Sequence, residues 1–132
     1  MKKKLMNKDE ILNTLKKYNL KDFIIISGAS MVIQGVKKTT NDIDIIVDDD
    51  TYNFLLDNYN CKLEKIVNGY KVWFIDEIIN FSNNYFNKVD YIKYEEYKIQ
   101  TLDSIRKLKL DLNRKKDRLD LKLIDDYKKN KV

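Results

Sequence analysis

Residues 27–44 read Ser-Gly-Ala-Ser-Met-Val-Ile-Gln-Gly-Val-Lys-Lys-Thr-Thr-Asn-Asp-Ile-Asp and place a tight turn, a short helix and two acidic residues in one compact unit. Just before them, Phe23-Ile24-Ile25-Ile26 is a short apolar, β-branched run of the kind that makes a strand buried on both faces. Gly28, Ala29 and Ser30 are too small to obstruct the approach of another group. Ser27 and Ser30 carry hydroxyls able to cap a helix expected over residues 31–35. A strand, a turn and a helix start in succession turn backbone N–H groups and the positive end of the helix dipole outward, which suits a phosphate.

The next strand is expected in Asp42-Ile43-Asp44-Ile45-Ile46-Val47. Side chains two apart on a strand emerge on one face, so Asp42 and Asp44 project together while Ile43 and Ile45 face the core. Paired carboxylates repel near neutral pH, and a cation between them relieves the repulsion. Oxygen-only donors on a rigid strand favour a hard ion such as Mg²⁺, which keeps waters and takes further ligands from a nucleotide's phosphates. The same spacing equally fits two solvated acids at the mouth of a strand, because short acidic patterns recur by chance.

A chain of 132 residues, 43% of them hydrophobic, is the size of one domain with a real core. Charged residues make up 36%, the net charge is +5 and the pI is near 9.1, so a polyanion is a reasonable partner, although a composition rich in Lys, Asn and Ile also follows from A- and T-rich coding. Cys61 is the single cysteine and histidine is absent, which excludes an intrachain disulfide, a His/Cys zinc site and Ser–His or Cys–His catalysis. Cys61 reads as a small core residue. No apolar run reaches membrane-spanning length. The basic start Met1-Lys2-Lys3-Lys4 leads into polar Asn7-Lys8-Asp9-Glu10 where a signal peptide needs an apolar core, so a cytoplasmic protein is expected.

Along the chain, Asn7 or Asp9 caps a first helix bearing Ile11, Leu12 and Leu15, with Asn19 at its end. Asp48-Asp49-Asp50 sits where acids favour a helix start, so capping explains most of that run, and Asp48 is only an outside candidate for the site. From residue 61 to 99 the pattern turns to strands. Lys62-Leu63-Glu64-Lys65-Ile66 and Tyr70-Lys71-Val72-Trp73-Phe74-Ile75 flank Asn68-Gly69 as a hairpin, and Ile78-Ile79-Asn80-Phe81 and Tyr91-Ile92-Lys93-Tyr94 add strands. Tyr85, Tyr91, Tyr94 and Tyr97 offer faces for base stacking, or simply pack. From Thr101 onward the chain reads as two helices, the first capped by Thr101 with an apolar stripe of Leu102, Ile105, Leu108 and Leu112. The second, over residues 115–127, places Asp117 and Asp120 for structural salt bridges near the turn, with Lys116 beside them. The expectation is an α/β (α+β) fold, a mixed sheet flanked by helices and closed by a C-terminal helical hairpin. It would form one domain over residues 1–132: an N-terminal helix at 1–22, a sheet core with the site at 23–99, and helices at 100–132.

The Gly-Ala-Ser turn, Gly35, Lys38-Thr39-Thr40-Asn41 and Asp42-Ile43-Asp44-Ile45 together resemble the signature of the DNA polymerase β-type nucleotidyltransferase superfamily. A later Lys followed by Arg-x-Lys-Asp-x-x-Asp, matched here by Lys109, Arg114, Lys116, Asp117 and Asp120, is similar to the small stand-alone enzymes of the AbiEii toxin type. The resemblance spans about residues 23–124. It implies a Mg²⁺-dependent transfer of a nucleoside monophosphate from a nucleoside triphosphate to an acceptor hydroxyl, on tRNA, another RNA, a protein or a small molecule, with a cognate antitoxin as a candidate partner. It further implies catalytic and metal roles for Asp42 and Asp44, and nucleotide contacts from Ser27, Gly28, Ser30, Lys38, Lys109 and Arg114. The superfamily's third carboxylate aligns with Asn80, which can ligate but cannot act as a base at neutral pH; Asp76 and Asp90 are the alternatives in a shifted register. A catalytically degenerate fold that binds nucleotide or RNA therefore stays open beside the enzyme, as does a plain structural domain.

Overall fold

The structure, a computed structural model, describes residues 5–18, 20–84 and 88–130; the basic start at 1–4, Asn19 and Tyr85 lie outside the described residues. Asn7 opens α1 (Lys8–Leu15) with a reciprocal cap: its side chain accepts the Glu10 N–H at 3.0 Å while Glu10 accepts the Asn7 N–H at 3.2 Å. Ile11, Leu12 and Leu15, at helical spacing, are the residues α1 buries. The chain then enters β1 (Phe23–Ile26), α2 (Ser27–Ile33), β2 (Ile43–Val47) and α3 (Asp49–Asn58), followed by β3 (Cys61–Val67), β4 (Tyr70–Ile75) and β5 (Ile79–Ser82). It ends with β6 (Tyr91–Tyr94), β7 (Tyr97–Gln100), α4 (Leu102–Leu112) and α5 (Lys115–Asn130). Asp48 caps α3 by accepting the Thr51 N–H at 3.0 Å, and Thr101 caps α4 by accepting the Ser104 N–H at 3.1 Å. Asn113 closes α4 in the left-handed conformation that asparagine tolerates.

The strands form one mixed seven-stranded sheet in the order β3-β4-β5-β2-β1-β7-β6. β1 pairs antiparallel with β2 and parallel with β7, and β2 pairs parallel with β5. Strand alternation then gives the sheet two chemically different faces. The row Ile25, Ile45, Phe81 turns into the main core with α1, α2 and Leu55 of α3, whereas the adjacent row Ile26, Asp44, Asn80, Phe74 turns the other way. A smaller cluster of Met31, Val36, Ile105 and Ile124 fastens the α4–α5 hairpin to α2. The α/β architecture with a C-terminal helical hairpin is thus observed.

Four local expectations change. α2 begins at Ser27, not at residue 31, and makes no side-chain N-cap: Ile26 holds the cap position, and the chain turns from strand to helix in one step through Ser27 at φ 57. β7, unnamed in the pattern of strands, follows a tight turn at Glu95 and lies between β1 and the edge strand β6. The α4 stripe is broken: Ile105 is buried, but Leu108 and Leu112 are 39% and 44% exposed and the inner position goes to Lys109 at 5%. Its partners across the hairpin are carboxylates, so an ion pair fills the space that a leucine was expected to fill. Cys61 is half-buried against the main core, with its thiol directed at the carbonyls of Leu55 and Tyr59.

Candidate active site

The face of the sheet bearing Asp44 and Asn80 opens into a cleft of about 1280 Å³, walled by the β3–β4 hairpin on one side and by α4 and α5 on the other. Of the expected site residues, Ser27, Gly28, Asp42, Asp44, Asn80, Lys109 and Arg114 all line it. Ser30 and Lys38 do not. Ser30 is fully buried; its hydroxyl donates to the Gln100 carbonyl at 2.7 Å and accepts from Gln34 at 3.0 Å, tying α2 to the end of β7. Lys38 is exposed, and the lysine that lines the cleft is its neighbour Lys37, ion-paired to Asp120 at 3.2 Å.

At the turn, the Ser27 N–H donates to Gln100 Oε1 at 2.9 Å, which steadies a residue held at positive φ. Gly28 is a different case. A Cβ there would meet Thr40 Oγ1 at 3.4 Å and Lys37 Nζ at 3.9 Å, ordinary contact distances, so internal packing does not demand glycine. What its missing side chain preserves is open space in the cleft. The loop between α2 and β2 is anchored by the bridge between Met6 and Thr40, with N–H···O distances of 2.7 and 3.0 Å, and Thr40 also donates to the Asp42 carbonyl at 3.1 Å. Asp42 is thereby set just ahead of β2, beside Asp44. Loss of water around the Asp44 carboxyl, and then the charge of Asp42, push its pKa up to about 7; Lys65 opposes the shift and Glu64 adds to it.

Asn80 stands opposite Asp44 in the parallel β2–β5 register, so the two side chains share the cleft face. Its Nδ2 donates to Glu64 Oε2 at 2.9 Å, while its Oδ1 is buried without a hydrogen-bond partner. Glu64 arrives from β3 through a bulge: Leu63 pairs with Trp73 and Lys65 with Val72, leaving Glu64 extra in the strand. A bulge re-aims side chains, and here Glu64 and Lys65, consecutive in sequence, both reach the cleft. Strict alternation would have sent one of them away, so the pattern alone carried no signal for the pair. Asp76 and Asp90 stand elsewhere. Asp76 accepts the Tyr18 hydroxyl at 2.6 Å and lines a separate depression with Asn60 and Lys62, and Asp90 is exposed ahead of β6.

The helical side of the cleft is held by a compact ionic cluster. Lys109 lies 3.3 Å from Asp117 and 3.1 Å from Asp120, and Arg114 grips Asp117 through Nε at 2.7 Å and Nη2 at 3.0 Å. Burial alone would raise the Asp117 carboxyl, but Arg114, Lys109 and the Arg114 backbone N–H outweigh it and hold the pKa at about 2. Lys109 and Arg114 thus reach the cleft while committed to these partners, and Lys116 lines it with no ion pair among the described residues. Of the tyrosines considered for stacking, the described three lie apart from it: Tyr97 packs edge-on against Phe23, and Lys98 and Lys8 lie over the rings of Tyr91 and Tyr94 at 5.3 and 5.5 Å.

Among the described residues, no three His, Cys, Asp or Glu side chains gather into a metal-binding group as they stand. The donor set that suits a hard cation is Asp42 and Asp44, with the unpartnered Asn80 oxygen next to them. Among the described residues no helix is long and apolar enough to cross a membrane.

A glycine in the helix start that follows one strand, beside paired carboxylates at the start of the adjacent strand and opening onto one cleft, is the arrangement of a nucleotidyltransferase-type fold. The chain belongs to a family described as nucleotidyltransferases of unknown function, DUF6036, whose model matches residues 3–127. Neither a curated protein nor a solved structure matches it.

Proposed function

We propose that the protein is a Mg²⁺-dependent nucleotidyltransferase that moves a nucleoside monophosphate from a nucleoside triphosphate to an acceptor hydroxyl. The observation that carries this reading is Asp42 and Asp44 together at the floor of the cleft, with Asp44 raised to about 7 by desolvation and by its neighbour. Two carboxylates so placed are at ease at neutral pH when a cation shares them. Mg²⁺ held by Asp42 and Asp44 would neutralise charge developing on the transferred phosphoryl group. Gly28 leaves room for the phosphates, and Lys65 and Lys116, with Arg114 clamped to Asp117, surround them with positive charge. Val67 and Val72 from the hairpin, facing Leu108 and Leu112 of α4, line the cleft with apolar surface suited to a base. The acceptor oxygen bonds to the α-phosphorus, the bond from the α-phosphorus to the α–β bridging oxygen breaks, pyrophosphate leaves with that oxygen, and the acceptor's proton passes to solvent water.

The acceptor favoured is tRNA or another RNA, because the chain carries +5 and its motifs resemble those of the AbiEii toxin type. The same resemblance makes a cognate antitoxin the proposed protein partner. A second reading rests on Asn80, which stands where a third carboxylate is expected: the fold then binds nucleotide or RNA as a regulator without turnover. Incubation with each α-³²P-labelled nucleoside triphosphate, Mg²⁺ and total tRNA decides between them. Label moving to RNA or to the protein, and lost in Asp42→Ala/Asp44→Ala, identifies the transferase and its nucleotide. Nucleotide binding with no label transferred replaces it by the second reading.

A further inference from the structure

The side chain that best discloses a ligand in this cleft is Asn80. It is only 8% exposed, its Oδ1 has no hydrogen-bond partner, and a buried amide oxygen left bare costs about 1–3 kcal/mol. Only a donor or a cation beside it removes this cost. Two other strands bring carboxylates to it: Asp44 is its register partner on β2, and Glu64, reaching over from β3, accepts its Nδ2 at 2.9 Å. That hydrogen bond decides which end of the amide is which. A carboxylate accepts only, so the nitrogen must face Glu64 and the oxygen is left for something that donates or is positively charged. The β3 bulge makes the contact possible by bringing Glu64 onto the cleft face together with Lys65.

We propose that Asn80 Oδ1 is a neutral ligand to a divalent cation shared with Asp42 and Asp44, and that Glu64 is the positioning residue that holds the amide with its oxygen toward that cation. This deepens the nucleotidyltransferase reading above and rests on it for the cation's role in catalysis. Cation binding itself is separable from turnover. The arrangement makes Asn80 a working part of the site: the charge expected from a carboxylate on β5 is carried by Glu64 on β3, one hydrogen bond away. The outer partner of a metal ligand typically changes affinity by about 10- to 100-fold when removed, which sets the size of the expected effect.

Binding of Mn²⁺ alone, read by the loss of its free-ion paramagnetic resonance signal, tests this without any nucleotide. Wild type is expected to bind, Asn80→Ala and Asp44→Asn to bind at least about tenfold more weakly, and Glu64→Ala to lose about tenfold as a positioning residue should. The exchange Asn80→Asp/Glu64→Gln, which keeps the hydrogen bond and the total charge, is expected to restore binding that Glu64→Ala loses. Glu64 is exposed, so Glu64→Ala folds even if a change at Asn80 does not, and thermal melts check each variant. Equal Mn²⁺ affinity in wild type, Asn80→Ala and Glu64→Ala, or no binding by wild type, overturns the proposal. Absence of label transfer with these affinity differences intact would instead remove the transferase reading and leave the cation site standing.

Discussion

Ser27 and Gly28 sit side by side in the turn yet answer to different constraints. Ser27 is held at φ 57, where a residue with a Cβ carries strain of about 1 kcal/mol, so Ser27→Gly is expected to raise stability by up to about 1 kcal/mol in urea unfolding. Gly28 has no such φ and its neighbours tolerate a methyl group, so Gly28→Ala is expected to melt like wild type while binding nucleoside triphosphate at least about tenfold more weakly by calorimetry. Asp44 yields a prediction with a definite sign. Its folded pKa, about 7, lies above the ordinary carboxylate value near 3.8, so the folded state binds its proton more tightly than the unfolded chain does. The resulting stabilisation is full below about pH 4 and is lost as pH rises through 7. In the absence of divalent cations, wild type is therefore expected to lose stability relative to Asp44→Asn between about pH 4 and 7, measured by denaturant unfolding across that range. Equal pH profiles for the two proteins would show that the Asp44 carboxyl is not desolvated.

At the scale of elements, the junction of α4 and α5 is ionic where a helical hairpin is ordinarily apolar. Ile105 and Ile124 meet α2, but the next inward positions are Lys109, Asp117 and Asp120, all under 9% exposed, with Lys37 joining from the α2–β2 loop. Each carboxylate has two cationic partners, so the cluster is stable as a whole and sensitive to the loss of any member. Asp117→Asn is expected to destabilise the protein by about 3 kcal/mol, read by urea unfolding, because it leaves Lys109 and Arg114 without their shared anion. Asp117 also gives the acid limit: its pKa, held at about 2, means that its contribution is full above about pH 4 and disappears as pH falls through 2. Further pairs, Arg106 with Asp125 at 2.9 Å and Lys128 with Asp103, link the same helices at the surface and are worth much less.

For the whole molecule, a basic balance and a cleft edged by Lys65, Lys88, Lys115 and Lys116 lead to a prediction about salt. If RNA is the acceptor, its affinity is expected to fall at least about tenfold between 50 and 200 mM salt, because releasing counterions into saltier solution gains less, checked by filter binding of tRNA. A salt-insensitive affinity would point to a small-molecule acceptor. The elements that position the cleft were largely legible beforehand: the β-branched run at Phe23–Ile26, the hairpin around Asn68 and Gly69, and the Thr101 cap are each written in adjacent residues. β7 was not, since Tyr97–Gln100 alternates for only four residues before the Thr101 cap, too short a run to mark a strand by itself, and is held in place by β1 and β6 on either side.

The paired acids Asp42 and Asp44 and the small residues of the turn were determined by the sequence itself, because their relation is local: two residues along a strand, or three along a turn, suffice to set it. The α/β class followed from the same short-range periodicities. Which other side chains join those acids was decided only by the tertiary structure. Glu64 reaches Asn80 across 16 positions through a bulge that alternation conceals, and Lys37, rather than Lys38, enters the cleft because the loop is pinned at Thr40 and drawn to Asp120 on α5. Lys109 likewise replaces a leucine at the hairpin's inner face because two carboxylates lie opposite it. Long-range electrostatics and strand register, unlike local propensity, exist only once the chain has closed on itself.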